Sequence, residues 1–202
     1  MSLKNLSAKI KIPKVLKNKL NNEKICQIYK EFAKAVSINE NFIVAVSGGP
    51  DSLALAFLSK IYSIQKKLKV KFYIIDHKLR SESTIEAKYV KKILNKFQIN
   101  TEILYWQGKK PTNNIQSVAR TKRFELLLSK CKKLGITHIL LGHHQEDLLE
   151  NFFIRILRGS GLKGLTSLSK KTKLQNITIL RPLINQKKDD LVFISKKVFD
   201  FY

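Results

Sequence analysis

The sequence predicts an α/β fold: a doubly wound parallel sheet with helices on both faces. Two observations carry that prediction. From residue 42 onward, short β-branched apolar runs alternate with longer stretches whose apolar residues recur at helical spacing, the pattern of successive βαβ units. The first run, Phe42-Ile43-Val44-Ala45-Val46, passes at once into Ser47-Gly48-Gly49-Pro50-Asp51-Ser52 and then into a helical pattern. A glycine-rich turn between a strand and a helix lies at the carboxyl edge of a parallel sheet, where ligands of such folds bind. At 202 residues the chain suffices for one such domain with a full core.

Taken in order, residues 1–20 read as a loosely ordered Lys-rich arm. Residues 22–37 read as an amphipathic helix, with Ile25, Ile28, Tyr29, Phe32 and Val36 on one face. This arm and helix (1–40) are set apart from the main domain, 41–202. Strand 42–46 leads to helix 51–67. Strand 70–75 leads to helix 82–97, with a cap expected at Ser81 or Ser83. Strand 101–106 is followed by a loop with Pro111 and by helix 114–134. Strand 136–141 leads to helix 145–158 and a Gly-rich turn at 159–164. A short strand at 177–180 precedes Pro182, and a last helix starting near 187 is expected to run to about residue 200.

Composition narrows the class. The chain is 44% hydrophobic, which excludes a disordered tail. No apolar run approaches the ~18 residues of a membrane span, and the N-terminus has no apolar core of a secretory signal. Cys26 and Cys131 are isolated, giving neither metal spacing nor a disulfide framework, and fit a reducing cytoplasm. The net charge of +24 suggests a polyanionic partner, nucleic acid above all. The rival source of that charge is the residue usage of an A+T-rich genome: the chain has 33 Lys, 23 Ile and 13 Asn but only six Arg. Against that drift each retained Arg (Arg80, Arg120, Arg123, Arg155, Arg158, Arg181) hints at a site needing a planar, bidentate cation.

The expected strand ends collect the polar residues. After strand 42–46 comes Ser47 to Ser52, the build of a phosphate cradle: Gly48 and Gly49 admit an anion to the backbone, and the helix start supplies free N–H groups. Asp51 would repel a polyphosphate directly, so it is expected to act through a bridging Mg²⁺. After strand 70–75 comes Asp76-His77-Lys78-Leu79-Arg80. After strand 136–141 comes Gly142-His143-His144-Gln145-Glu146-Asp147-Leu148-Leu149-Glu150. Asp147 and Glu150, spaced i, i+3, share a helix face and would hold Mg²⁺ with Asp51 or orient an amine. The bland alternative is a solvated acidic helix start. His143 and His144 either act in phosphate binding and proton transfer or are packed, hydrogen-bonded side chains. Arg120 and Arg123, also at i, i+3, contact a phosphate or base, or form one charged face. Arg155, Arg158, Gly159, Ser160, Gly161 and Lys163 either meet a nucleic-acid backbone or close a helix that wants cations and glycine.

Ser47 to Ser52 resembles the pyrophosphate-binding loop (PP-loop) of the ATP pyrophosphatases. Five further stretches match in order: Asp76 to Arg80, Ala119-Arg120 with Arg123-Phe124, His143 to Glu150, Arg158 to Leu165, and Arg181-Pro182-Leu183. Together they are similar to the tRNA(Ile)-lysidine synthetase family. The resemblance implies an adenine nucleotide alpha hydrolase-like fold and a cytoplasmic ligase. ATP and Mg²⁺ adenylate C2 of the wobble cytidine of the isoleucine tRNA with a CAU anticodon, and free L-lysine then displaces AMP to give lysidine.

By position the resemblance implies catalytic roles for Asp51, Arg120, Arg123, His143, Asp147 and Glu150. It assigns ATP to Ser47, Gly48, Gly49, Pro50, Asp51, Ser52, Asp76 and His77, Mg²⁺ to Asp51 and Asp147, and tRNA to Arg155, Arg158, Gly159, Ser160, Gly161 and Lys163. A homodimer is an open expectation. Where many members have Asp-Asp-Gln, this chain has Glu146-Asp147-Leu148. The family also continues beyond the last helix, so the chain reads as an N-terminal catalytic domain truncated at its C-terminal end. Alternatives are tRNA thiolation, which wants paired cysteines, and a non-catalytic ATP- and tRNA-binding fragment.

Overall fold

The computed structural model describes residues 12–108, 111–150, 169–174 and 176–201. The expected Gly-rich turn at 159–164, and the helix expected over 145–158 from residue 151 on, lie outside the described residues. The elements are α1 (Lys14–Leu20), α2 (Glu23–Val36), β1 (Phe42–Val46), α3 (Pro50–Lys66), β2 (Val70–Asp76), α4 (Ser83–Asn95), β3 (Thr101–Tyr105), α5 (Ile115–Leu134), β4 (His138–Leu140), β5 (Lys171–Leu174), β6 (Ile177–Leu180) and α6 (Lys188–Phe199). A further helical run starts at residue 145.

One six-stranded sheet has the order β3-β2-β1-β4-β6-β5. Every neighbouring pair is parallel except β5–β6. β1 is central and buried at all five positions, as a strand covered on both faces must be. Its side chains alternate with period two. Phe42, Val44 and Val46 enter a core built with α1, α2, α3, α4 and α6. Ile43 and Ala45 enter a second core with Leu127 and Cys131 of α5. α3 is buried nearly all round, from Leu53 to Tyr62, because it lies between the sheet and other helices. Phe199 of α6 meets its Phe57 edge-on, centroids 6.5 Å apart.

The doubly wound parallel sheet is therefore as predicted. From β1 the chain steps outward through β2 and β3, then crosses to the other side of β1 to form β4. The C-terminal ends of β1 and β4 thus flank the topological switch point, the crevice where open α/β sheets take ligands.

Three local expectations are corrected. Residues 14–20, read as part of a loose arm, form α1, because Leu16 and Leu20 one turn apart are both buried in the main core. β5 was not expected: Lys-Thr-Lys-Leu pairs antiparallel with β6 as an edge strand. Neither Ser81 nor Ser83 caps α4. Its N-cap is Glu82, without a side-chain cap bond, while the Ser83 hydroxyl donates to Asp76 at 2.8 Å. The last helix is as expected: α6 ends at Phe199, closed by Asp200 in the left-handed conformation.

Candidate active site

Ser52 holds the β1–α3 loop together. Its Oγ accepts the Gly48 N–H at 3.0 Å, donates to the Gly49 carbonyl at 2.9 Å and lies 3.2 Å from the Ser47 hydroxyl. Gly48 sits at φ +93°, where an L side chain is strained, and a Cβ there would come within 2.8 Å of Val90 Cγ2 on α4. Gly49 is the N-cap of α3 and Pro50 its first residue, which needs no N–H partner. Ser52→Ala removes this acceptor from the buried Gly48 N–H and both of the loop's other Ser52 contacts. It is expected to cost about 1–3 kcal/mol in chemical denaturation; an unchanged midpoint would show that the loop keeps its shape without this staple.

Asp51, in the first turn of α3, is the meeting point of three elements. Its Oδ2 accepts from Lys188 Nζ of α6 at 2.6 Å. Its Oδ1 is buried with no hydrogen-bond partner among the described residues. His144 Nε2 faces that oxygen at 3.7 Å, beyond hydrogen-bond reach. His144 is itself fixed by a reciprocal cap. The Asp147 N–H donates to His144 Nδ1 at 3.3 Å, and the His144 N–H donates to Asp147 Oδ2 at 2.8 Å. This is the logic of a capping box, with an imidazole in place of the hydroxyl. His144 Nδ1 also lies 3.3 Å from Asp147 Oδ2, so the ring stands between the two carboxylates. Gly142 lets β4's exit approach this close: a Cβ there would stand 3.3 Å from the Asp51 carbonyl and from Ser52 Cα.

A cationic group lies alongside. Arg181, buried at the end of β6, donates through Nη1 to the Ser169 carbonyl (2.9 Å) and the Thr172 hydroxyl (2.8 Å), and its Nε is buried without a partner among the described residues. Burial lowers the pKa values of Arg123 and Arg181, and the charge of Arg120 lowers both further. Burial also pushes His143 down to about 4, helped by Arg181, opposed by Asp147 and reinforced by Arg120 and Arg123. His143 is therefore neutral near pH 7 and a weak base, among guanidinium groups that favour an anion.

That shift has a sign that can be checked. Between the ordinary 6.5 and about 4 the unfolded ring binds the proton and the folded ring does not. Stability from this group is thus fully present above about pH 6.5 and lost as the pH falls toward 4. The stability of wild type relative to His143→Gln is expected to drop across that window by on the order of 2–3 kcal/mol. A flat difference would mean an unperturbed ring.

At the end of β2, Asp76 is buried and its carboxylate is engaged by its own chain. Oδ1 accepts from the Lys78 N–H and the Ser83 hydroxyl, each at 2.8 Å, and Oδ2 from the Thr84 hydroxyl at 2.5 Å. Burial alone would raise its pKa, but these donors, Thr84 foremost, hold it below the usual carboxylate range. Its carbonyl also accepts the Trp106 N–H at 2.9 Å, and the His77 ring stands edge-on to Trp106. Asp76 so shapes the turn that carries His77.

Of the residues singled out in the sequence, the structure gathers Ser47 to Ser52, His143 and Asp147 at the switch point, with Arg120 and Arg123 contributing their charge from α5. Asp76 and His77 lie at the end of neighbouring β2. Glu150 is exposed on the helical run from 145. Arg155, Arg158, Gly159, Ser160, Gly161 and Lys163 lie outside the described residues. Sequence reasoning missed Lys188, which no local signal separates from the other lysines. It noted Arg181 without placing it in the site, although scarcity of Arg was the available signal. Among the described residues no three His, Cys, Asp or Glu side chains form a metal-binding group, and no helix is long and apolar enough to cross a membrane. Cys131 is buried in the second core, where burial pushes its thiol up to about 11, far from a reactive thiolate.

The sequence profile of the family described as PP-loop domain matches residues 18–201. The tRNA(Ile)-lysidine synthase of Orientia tsutsugamushi is 46% identical over 153 residues, covering 76% of this chain and 34% of that protein. That of Bradyrhizobium diazoefficiens is 32% identical over 173 residues, covering 85% of this chain and 47% of that protein. The chain thus spans between a third and a half of the length of these curated relatives. Among solved structures, the U34-tRNA thiolase NcsA from Methanococcus maripaludis, with its 4Fe-4S cluster, superposes at a TM-score of 0.75 with 17% identity. That match covers 90% of this chain and 67% of the other. Candida glabrata FMN adenylyltransferase, in complex with FMN and an ATP analogue, gives 0.52 with 10% identity, covering 89% and 62%. At such identities the likeness is one of fold alone.

Proposed function

The chain belongs to the PP-loop domain family, and from that premise we propose that it carries the catalytic machinery for ATP-dependent ligation of free L-lysine to the wobble cytidine of the CAU-anticodon isoleucine tRNA. The observation that carries this reading is the convergence at the switch point. A glycine cradle, a carboxylate with one oxygen unpartnered among the described residues, a neutral imidazole, the buried Arg181 and the charges of Arg120 and Arg123 meet there, in a chain 46% identical to a tRNA(Ile)-lysidine synthase. We read the enzyme as cytoplasmic; a homodimer remains part of the proposal.

In the first step the cytidine C2 oxygen attacks the α-phosphorus of ATP and pyrophosphate leaves. In the second the lysine amine attacks C2 and AMP leaves. The N–H groups of Gly49, Asp51 and Ser52 at the start of α3 would cradle the phosphates, and Arg120, Arg123 and Arg181 would offset the charge that develops on each leaving group. Asp147 and Glu150 would orient the attacking amine and take up its proton, with the neutral His143 ring beside Asp147. Asp76, held by its own chain, would act toward ATP through the turn that presents His77.

Asp51 offers Mg²⁺ a buried oxygen with no hydrogen-bond partner among the described residues, and Asp147 stands one helical turn beyond His144. Asp51 would hold the ion, with Asp147 near it, and bound Mg²⁺ would supply charge neutralisation to the polyphosphate. Arg155, Arg158, Gly159, Ser160, Gly161 and Lys163 would grip the tRNA backbone. Thiolation is not favoured, since Cys131 is held as a buried, high-pKa thiol.

The test is transfer of labelled lysine to unmodified isoleucine CAU tRNA with ATP and Mg²⁺, against methionine tRNA. Incorporation into the isoleucine tRNA alone is the expected result. Binding of ATP without incorporation, when the lysine and tRNA are saturating, would refute ligation by this chain.

A further inference from the structure

Lys188 is the first residue of α6 and the partner of Asp51 at 2.6 Å, from 137 positions away in sequence. Its place is set rigidly. Leu191, Ile194 and Val198 of α6 are buried in the main core, and Phe199 packs on Phe57 of α3, the helix whose N-terminus carries Asp51. Of the two acids in the first turn of α6, Asp189 is exposed and Asp190 pairs with Lys24 at 2.7 Å. The Lys188–Asp51 pair is only partly buried, with side chains 34% and 20% exposed, so it is a poor source of stability. It also leaves Asp51 Oδ1 without a hydrogen-bond partner among the described residues. A lysine held at the mouth of a glycine cradle, on a carboxylate that keeps half its capacity unused, is a mobile positive charge beside an anion site. Lysine binds phosphate as a compact point charge that can change partners without a fixed geometry.

We propose that Lys188 is a nucleotide-binding residue whose ammonium passes from Asp51 to the phosphate oxygens of the nucleotide on the Ser47–Ser52 loop. The inference rests on the reading of that loop as the ATP site. When the ammonium leaves, both Asp51 oxygens become available, so one residue's movement serves phosphate and carboxylate together.

The test is calorimetric titration of the full chain with ATP in excess Mg²⁺, and separately with inorganic pyrophosphate. The proteins are wild type, K188M, K188Q, K188R and, as a charge control elsewhere on the surface, K24M, with thermal unfolding of each. K188M is expected to weaken both ligands tenfold or more. K188Q, which can still hydrogen-bond Asp51, is expected to lose as much affinity; a lysine that merely supports Asp51 would not give that result. K188R should recover part of the loss, K24M should match wild type, and melting temperatures should stay within a few degrees. Unchanged affinity in K188M and K188Q overturns the inference alone. Tighter binding overturns it too, since a lysine that only competes for Asp51 would give that result. No ATP binding by the wild type overturns the underlying reading, and the inference with it.

Discussion

Asp51→Asn is expected to cut ATP-dependent lysine transfer by about 10²–10³-fold or more, the scale set by loss of one preorganised charge at a reacting centre. The substitution is nearly isosteric. An amide oxygen can still accept from Lys188, and the first turn of α3 keeps its N-cap geometry. What disappears is the negative charge and, with it, the oxygen that lies buried near His144 with no hydrogen-bond partner among the described residues. Stability should barely move, because the lost helix-dipole and ion-pair terms are each about 1 kcal/mol or less at this exposure. The informative experiment therefore pairs two measurements on one preparation: labelled-lysine incorporation and thermal unfolding. Activity near wild type would remove Asp51 from the chemistry. A large fall in melting temperature would make it a structural residue instead.

Gly48→Ala should be the most damaging single methyl group in the loop, costing on the order of 2–4 kcal/mol of folding stability. Two separate causes add. The backbone at φ +93° suits glycine alone, and the new Cβ would stand 2.8 Å from Val90 Cγ2, a branched side chain with little rotamer freedom in a helix. Val90→Ala separates them. Alone it costs about 1–3 kcal/mol as a core truncation; combined with Gly48→Ala it should recover the clash but not the backbone strain, so the double variant remains less stable than Val90→Ala. Urea unfolding of the four proteins closes the cycle. If Gly48→Ala unfolds with wild type, the positive φ of the loop is wrong. If the double variant matches Val90→Ala, the strain is purely steric.

What the sequence made legible, and what it hid, follows from how each feature is encoded. β1 and β2 were plain because parallel strands buried on both faces are written as unbroken apolar runs, and their bounds match to within a residue. The Ser47–Ser52 loop was plain because its conformation demands glycine. β5 was hidden: an edge strand needs only one neighbour, and Lys-Thr-Lys-Leu carries little of a buried strand's apolar signal. α1 was hidden because only Leu16 and Leu20 mark its buried face among lysines. Within the site, residue type announced Asp51 and the arginines, but not orientation. That His144 rather than His143 faces Asp51, and that Asp147 spends one oxygen on a cap, depend on where a strand exit meets a helix start. Lys188 was invisible for a different reason: its partner lies across the whole fold, and no spacing rule spans such a distance.

That distance also orders the chain's assembly. Lys19 Nζ donates to the Lys197 carbonyl at 2.6 Å, Gln186 Nε2 to Glu31 at 2.7 Å, and Lys188 to Asp51, across separations of 178, 155 and 137 residues. Contacts this remote close late, because loop-closure entropy must be met before they return any energy. During synthesis α2 and α3 leave the ribosome long before α6 exists. Until residues 186–199 emerge, the main core lacks one wall and Asp51 lacks its lysine, so a nascent chain can hold a finished glycine loop without a finished site.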